Sequence, residues 1–219
     1  MRSKTARFDH NREAVNLLQA GKPLFKNVKG NWQKEFFKNQ QPITIELACG
    51  RGEYTLGLAR QFPDRNFIGV DIKGDRLWKG SSIAMEESLT NVGFLRTYIL
   101  DIGNYFDKNE ADEIWLTFPD PRPKDREEKR RLTSKRFIES YKDILKPDGW
   151  FKFKTDNTAL FDYTMEELNM RKDIIALEHT YDLGNSPLLA EHYGIITRYE
   201  ELFSGKGEKI KYLKFKFDK

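Results

Sequence analysis

Cysteine is nearly absent from this chain of 219 residues: Cys49 is the only one, so no internal disulfide can form. Histidine is scarce as well. His10, His179 and His192 are the whole supply, too few with one cysteine for a dense zinc cluster, so no metal site is expected. Long apolar runs are missing too. Nothing approaches the roughly 18 apolar residues of a membrane span, and Met1 to His10 lacks the apolar stretch of a signal peptide, which points to a cytoplasmic protein without membrane contact. Proline is sparse, yet three of the eight fall within five positions, at Pro119, Pro121 and Pro123.

What is present is charge, unevenly placed. The net charge is only +4, but residues 1–38 carry nine basic and three acidic side chains, 122–136 eight and three, and 205–219 six and two. The rest of the chain is acidic on balance. An acidic body with three basic segments is the pattern of a nucleic-acid binder. The length, with 38% hydrophobic and 33% charged residues, suits one soluble globular domain. Residues 39–219 read as that domain. Residues 1–38 read as a basic arm or cap, with one short helix over 11–20 ending at Gly21.

From Pro42 the pattern becomes regular. Ile43 to Cys49 reads as a strand, Gly50-Arg51-Gly52 as a turn, and the following residues as a helix with Tyr54, Leu58 and Ala59 on one face. A strand Phe67–Val70 ends on Asp71. Strand, glycine turn, helix, strand is a βαβ unit, which implies a parallel pair. A helix from Asp75 to about Ser88 follows, then strands Val92–Leu100 ending on Asp101 and Glu113–Leu116, a helix Lys135–Leu145, and a strand Gly149–Thr155 ending on Asp156. A helix near Ala159–Arg171, a strand near Ile174–His179 and a half-exposed strand Lys209–Phe217 complete the chain.

The stretch Leu116-Thr117-Phe118-Pro119-Asp120-Pro121-Arg122-Pro123-Lys124 is the most unusual. Proline cannot donate to a sheet ladder, so the strand must stop at Pro119 and leave Asp120 at its carboxyl end. In an open α/β sheet, ligands bind along that edge. One carboxylate beside a basic run suggests a polyanionic substrate, with Arg126, Lys129, Arg130 and Arg131 as phosphate contacts. A proline-rich turn before a solvated helix, or a polyproline ligand for a partner, would also account for the stretch.

Asp71, Asp101, Asp120 and Asp156 each read as standing at a strand end, so a parallel sheet lines them along one edge. Asp71 falls 19 residues after Gly52, close to the offset of about 20 at which an acid takes ribose hydroxyls. The turn Ala48-Cys49-Gly50-Arg51-Gly52 is not G-x-G-x-x-G, so it is a poor pyrophosphate loop. Glu46 would repel a phosphate but suits a cationic ligand. S-adenosylmethionine fits these features better than NAD. Glycines serving a tight turn and aspartates capping helices remain the plainer account.

Glu46 to Gly52, Gly69-Val70-Asp71, Phe118 to Lys124 with Lys129-Arg130-Arg131, Thr155-Asp156 and Thr197-Arg198-Tyr199-Glu200 together resemble the bacterial tRNA (guanine-N7)-methyltransferases, over about residues 43–217. The resemblance implies a Rossmann-like class I methyltransferase: an α/β fold with a seven-stranded, mostly parallel sheet, the last strand antiparallel, and helices on both faces. It implies S-adenosyl-L-methionine as cofactor, tRNA as partner, and methylation of a guanosine in the variable loop; a monomer or homodimer is expected. Matched position by position, Glu46, Gly50, Gly52, Asp71, Asp101 and Asp120 fall on cofactor-contacting positions, with Asp120 also on the catalytic one. Lys124, Asp156, Thr197, Arg198, Tyr199 and Glu200 fall on substrate-contacting positions. Three positions depart from the family pattern: Ala48 replaces its first glycine, Asp71 a glutamate, and Arg122 the usual tryptophan. A methyltransferase for another RNA or a small molecule, and a non-catalytic RNA-binding relative, are the alternative readings.

Overall fold

The computed structural model describes residues 3–205 and 207–219; Arg2 and Lys206, counted in two of the basic segments, lie outside them, as does Met1. Its centre is set by strands too apolar to face water. β2 (Ile43–Leu47) is buried along its whole length, and so is β3 (Asn66–Asp71). Strands buried on both faces belong in the middle of a parallel sheet. They are joined there by β4 (Val92–Arg96), β5 (Ala111–Thr117) and β6 (Leu145–Thr155), all parallel. β8 (Lys211–Phe217) runs antiparallel between β6 and β7 (Ile174–Thr180).

Helices cover both faces of this sheet. α2 (Glu53–Gln61) and α3 (Gly74–Glu86) pack with Phe67, Phe94 and Trp115 on one side. α4 (Lys135–Ile144) and α5 (Thr158–Asn169) pack on the other, with Ile68, Leu95, Ile114 and Phe153. Neighbours such as Phe67 and Ile68 fall in opposite cores because strand side chains alternate.

Among the described residues the sheet has eight strands, one more than the resemblance implied, in the order β1-β4-β3-β2-β5-β6-β8-β7. The extra strand, β1 (Leu17–Leu18), pairs with the open edge of β4. It takes residues expected to be helical. The helix of this region is instead α1 (Lys4–Glu13), capped by the Ser3 hydroxyl, which accepts from the Ala6 N–H. Leu17 and Leu18 go to the sheet because its two faces can bury both, whereas a surface helix would bury one face only. Farther on, Trp32 is fully buried, stacks on Phe106 at 5.2 Å and donates to the Tyr105 carbonyl, so this part of the basic segment belongs to the core.

The third expected strand also ends early. β4 stops at Arg96, the Thr97 N–H donates to the Asp71 carbonyl, and Ile99–Asn104 winds into a 3-10 helix. Asp101 therefore sits in a helical turn, exposed, and not at a strand end. Two apolar residues, Ile99 and Leu100, had extended the apparent strand; Leu100 is in fact 55% exposed.

Candidate active site

A cleft of about 450 Å³ opens at the carboxyl edge of the central strands. Glu46, Ala48, Cys49, Gly50, Thr117 and Phe118 line it from the sheet side, and Thr197, Arg198 and Tyr199 from across it. The turn after β2 gets close to a ligand by adopting left-handed backbone: Gly50 and Gly52 have φ of +57° and +72°. At Gly52 any side chain is excluded further, since a Cβ would meet the Phe94 ring at 2.6 Å. Ala48, where the resemblance implies glycine, is itself held at φ +58°. A non-glycine residue there stores on the order of 1 kcal/mol of strain, which the surrounding turn must hold.

Two carboxylates brace that turn. Asp71 accepts from the Gly50 N–H at 3.0 Å with one oxygen and from the Lys73 N–H at 2.8 Å with the other. Glu46 is buried, accepting from the Thr117 hydroxyl at 2.6 Å and from the Thr55 N–H at 2.8 Å, with the Thr55 hydroxyl as a third donor. Burial pushes the Glu46 carboxyl up to about 7, against the pull of those hydrogen bonds and of Lys154. Burial likewise pushes the Cys49 thiol well up, with Glu46 and Asp71 adding to it, so the single cysteine is a neutral wall group.

The proline stretch leaves the sheet above this turn. Phe118 at φ +48° donates its N–H to the Lys154 carbonyl, and its ring lies 5.2 Å from that of Tyr199. Asp120 follows, with a side chain 63% exposed and paired with Arg122 at 3.1 Å. Arg122 also reaches Glu127 at 3.2 Å. Burial, then the charges of Asp156 and Asp120, push the Tyr199 phenol up, so both carboxylates act on the cleft rim. Burial also raises Asp156 itself.

Other expected site residues lie elsewhere. Lys124, Arg126, Lys129 and Arg130 point to solvent, and among the described residues Lys124, Arg126 and Lys129 make no ion pair. Arg131 instead lies over the Tyr163 ring at 4.4 Å and donates to the Arg122 carbonyl. Asp101 is outside the cleft lining. Glu200 is turned away from it, buried between Lys154 at 2.9 Å and His192 at 2.7 Å. Burial alone would raise its pKa, but His192 and Lys154 outweigh it and hold the carboxyl below its ordinary value. Lys154 and Thr55 are not among the residues expected at the site from sequence, and Thr117 and Tyr54 are named there only as strand and helix positions; the alternation Lys152-Phe153-Lys154 is the one local signal that a face of β6 is charged.

A family model described as a putative methyltransferase matches residues 40–213. The tRNA (guanine-N(7)-)-methyltransferase of Cytophaga hutchinsonii is 49% identical to this chain, over 99% of it and 98% of the relative. The chain belongs to that family. The enzyme of the same name from Christiangramia forsetii is 44% identical, over 98% of each chain. A solved structure titled an antibiotic-related methyltransferase superposes with a TM-score of 0.62 at 18% identity, covering 92% of this chain and 96% of that one, which speaks for the fold.

Proposed function

We propose that this protein methylates N7 of a guanosine in tRNA, using S-adenosyl-L-methionine, and that the guanosine lies in the variable loop. The observation that carries the reading is the cleft itself. A backbone turn opened by Gly50 and Gly52 and floored by Glu46 offers a cationic nucleoside close approach without a phosphate cradle. When bound, S-adenosylmethionine supplies an electrophilic methyl group. Glu46, Gly50, Gly52 and Asp71 would hold it, with Asp101 as a further contact.

N7 of guanine carries a free lone pair and loses no proton on methylation, so no strong general base is required. What the protein must do is align the base and stabilise the positive charge that develops on the purine. Asp120 takes that role. Its exposure supports this, because a site that receives a nucleotide from bulk tRNA must be open until the RNA covers it and excludes water. Asp156 accepts from the N1 and N2 donors of the base, with Thr197, Arg198 and Tyr199 around it and Lys124 toward the phosphates. Glu200 serves this wall from behind. Arg126, Lys129, Arg130 and Arg131 form the phosphate-facing run.

Residues 39–219 carry the catalytic cleft, and the described part of 1–38 covers one edge of the same domain, lending β1 and Trp32 to its sheet and core. The protein works in the cytoplasm, where its substrate is, as a monomer or homodimer. Mass analysis of nucleosides from tRNA treated with the protein and methyl-labelled cofactor tests the reading: label in 7-methylguanosine is expected. Label in another nucleoside, or none, refutes it.

A further inference from the structure

Strand β6 sends Lys152 and Lys154 to one face of the sheet, and both are buried, at 4% and 0% exposure. A buried ammonium group must be matched by charge and hydrogen bonds. Both find partners in the segment after β7. Lys152 lies 2.8 Å from Glu191, and Lys154 lies 2.9 Å from Glu200, whose second oxygen meets His192 at 2.7 Å. Lys154 also sits 4.6 Å from the Tyr54 ring and 5.3 Å from the Phe118 ring, directly behind the cleft.

The segment that Glu200 anchors is short, and several of its described side chains face solvent. α6 (Arg198–Ser204) has seven residues, too few to be stable alone, and Ile196, Tyr199 and Leu202 are 64%, 43% and 57% exposed. Its described ties also include the Arg198 N–H to Glu53 at 2.8 Å, the Glu200 N–H to the Thr197 hydroxyl at 3.1 Å and the ring contact of Tyr199 with Phe118 at 5.2 Å. Thr197 and Tyr199 line the cleft. The Glu200 carboxylate is the buried, charged anchor of that wall.

We infer that Lys154 and Glu200, with His192, are positioning residues for methyl transfer: their buried ion pair fixes the wall Thr197–Tyr199 against Phe118. The inference rests on reading the cleft as the methyl-transfer site. An apolar contact of equal volume would hold the segment down without setting its direction, whereas a charged hydrogen bond sets both.

The test compares Lys154→Met, Glu200→Gln and the double change Lys154→Met/Glu200→Leu. Leu168→Ala, in the core on the opposite face of the sheet, controls for lost stability. Two quantities are measured well below every melting temperature: hydrogen exchange of amides 197–204 in the ligand-free protein, and single-turnover methyl transfer to saturating tRNA. Each single variant should exchange these amides about tenfold faster while β2 is unaffected, and should transfer methyl about tenfold to a hundredfold more slowly. The double variant should regain melting temperature, since no lone charge is left buried, yet stay slow. Recovery of the rate in the double variant, or single variants that match Leu168→Ala in both measurements, would overturn the inference. If wild-type protein forms no 7-methylguanosine, the functional reading fails separately, and the exchange data still decide whether the ion pair holds the wall.

Discussion

Glu46 and Asp120 are carboxylates at the carboxyl edge of paired strands, β2 and β5, and they have opposite surroundings. Glu46 is buried, accepts three hydrogen bonds and is held near neutrality by burial. Asp120 stands in solvent beside Arg122, on a loop that leads into exposed cations. The contrast separates two tasks. On the function proposed above, the cofactor side would be built before the ligand arrives, with its polar groups satisfying one another, and the nucleic-acid side would wait for a partner that supplies both its counter-charges and its shield from water.

The sharpest way to break this comparison is Asp120→Asn, which keeps the shape and removes the charge. Single-turnover transfer at saturating tRNA and cofactor should fall by about 10²–10³. If the rate stays within about fivefold of wild type, the catalytic charge belongs to Asp156 instead.

The buried partner is probed by pH. Folded Glu46 keeps its proton up to about pH 7, whereas an unfolded glutamate loses it near 4.5. The protonated form thus favours the fold, and this contribution is complete below 4.5 and lost as pH rises through 7. Relative to Glu46→Gln, wild type should lose on the order of 3 kcal/mol of unfolding free energy across that window. Denaturant titrations at several pH values check this; a stability difference independent of pH would mean that Glu46 ionises normally.

Asp71→Ala should act on the cofactor side alone. Loss of its charge-assisted hydrogen bonds should weaken cofactor binding by about 1.5–3 kcal/mol, raising KM with kcat nearly unchanged at saturation. A large loss of kcat at saturating cofactor would place Asp71 nearer the reacting atoms.

The smallest effect belongs to the solvated side. Replacing Arg126, Lys129 and Arg130 by glutamine should leave cofactor affinity intact and lower the slope of log K for tRNA against log salt by roughly 0.7–0.9 for each phosphate contact removed. Arg131→Gln should change that slope less, because Arg131 is already engaged by Tyr163 and the Arg122 carbonyl. Equal slopes for all variants would mean the run is only a solvated face.

Local chemistry made much of this legible in the residues. Prolines ended β5, glycines opened the turn after β2, and alternation and apolar runs marked the other strands to within a few residues. Boundaries failed where local pattern was silent about neighbours. Leu17–Leu18 became strand because β4 offered an open edge, and β4 stopped at Arg96 although apolar residues continued beyond it.

Residue types and spacing therefore determined the βαβ order, the turn and three of the four acids along the edge, Asp101 being the exception, since proline, glycine and side-chain periodicity constrain the backbone wherever they occur. Which acid faces the cleft was decided only by the tertiary structure. Glu200 turns inward because Lys154, 46 residues away in the chain, is buried and needs a counter-charge. Asp120 stays outward because its ion-pair partner, Arg122, lies half-exposed at the surface and is shared with Glu127. Burial is a property of the packed whole, and it sets the energy of a charge far more strongly than the charge's neighbours in sequence do.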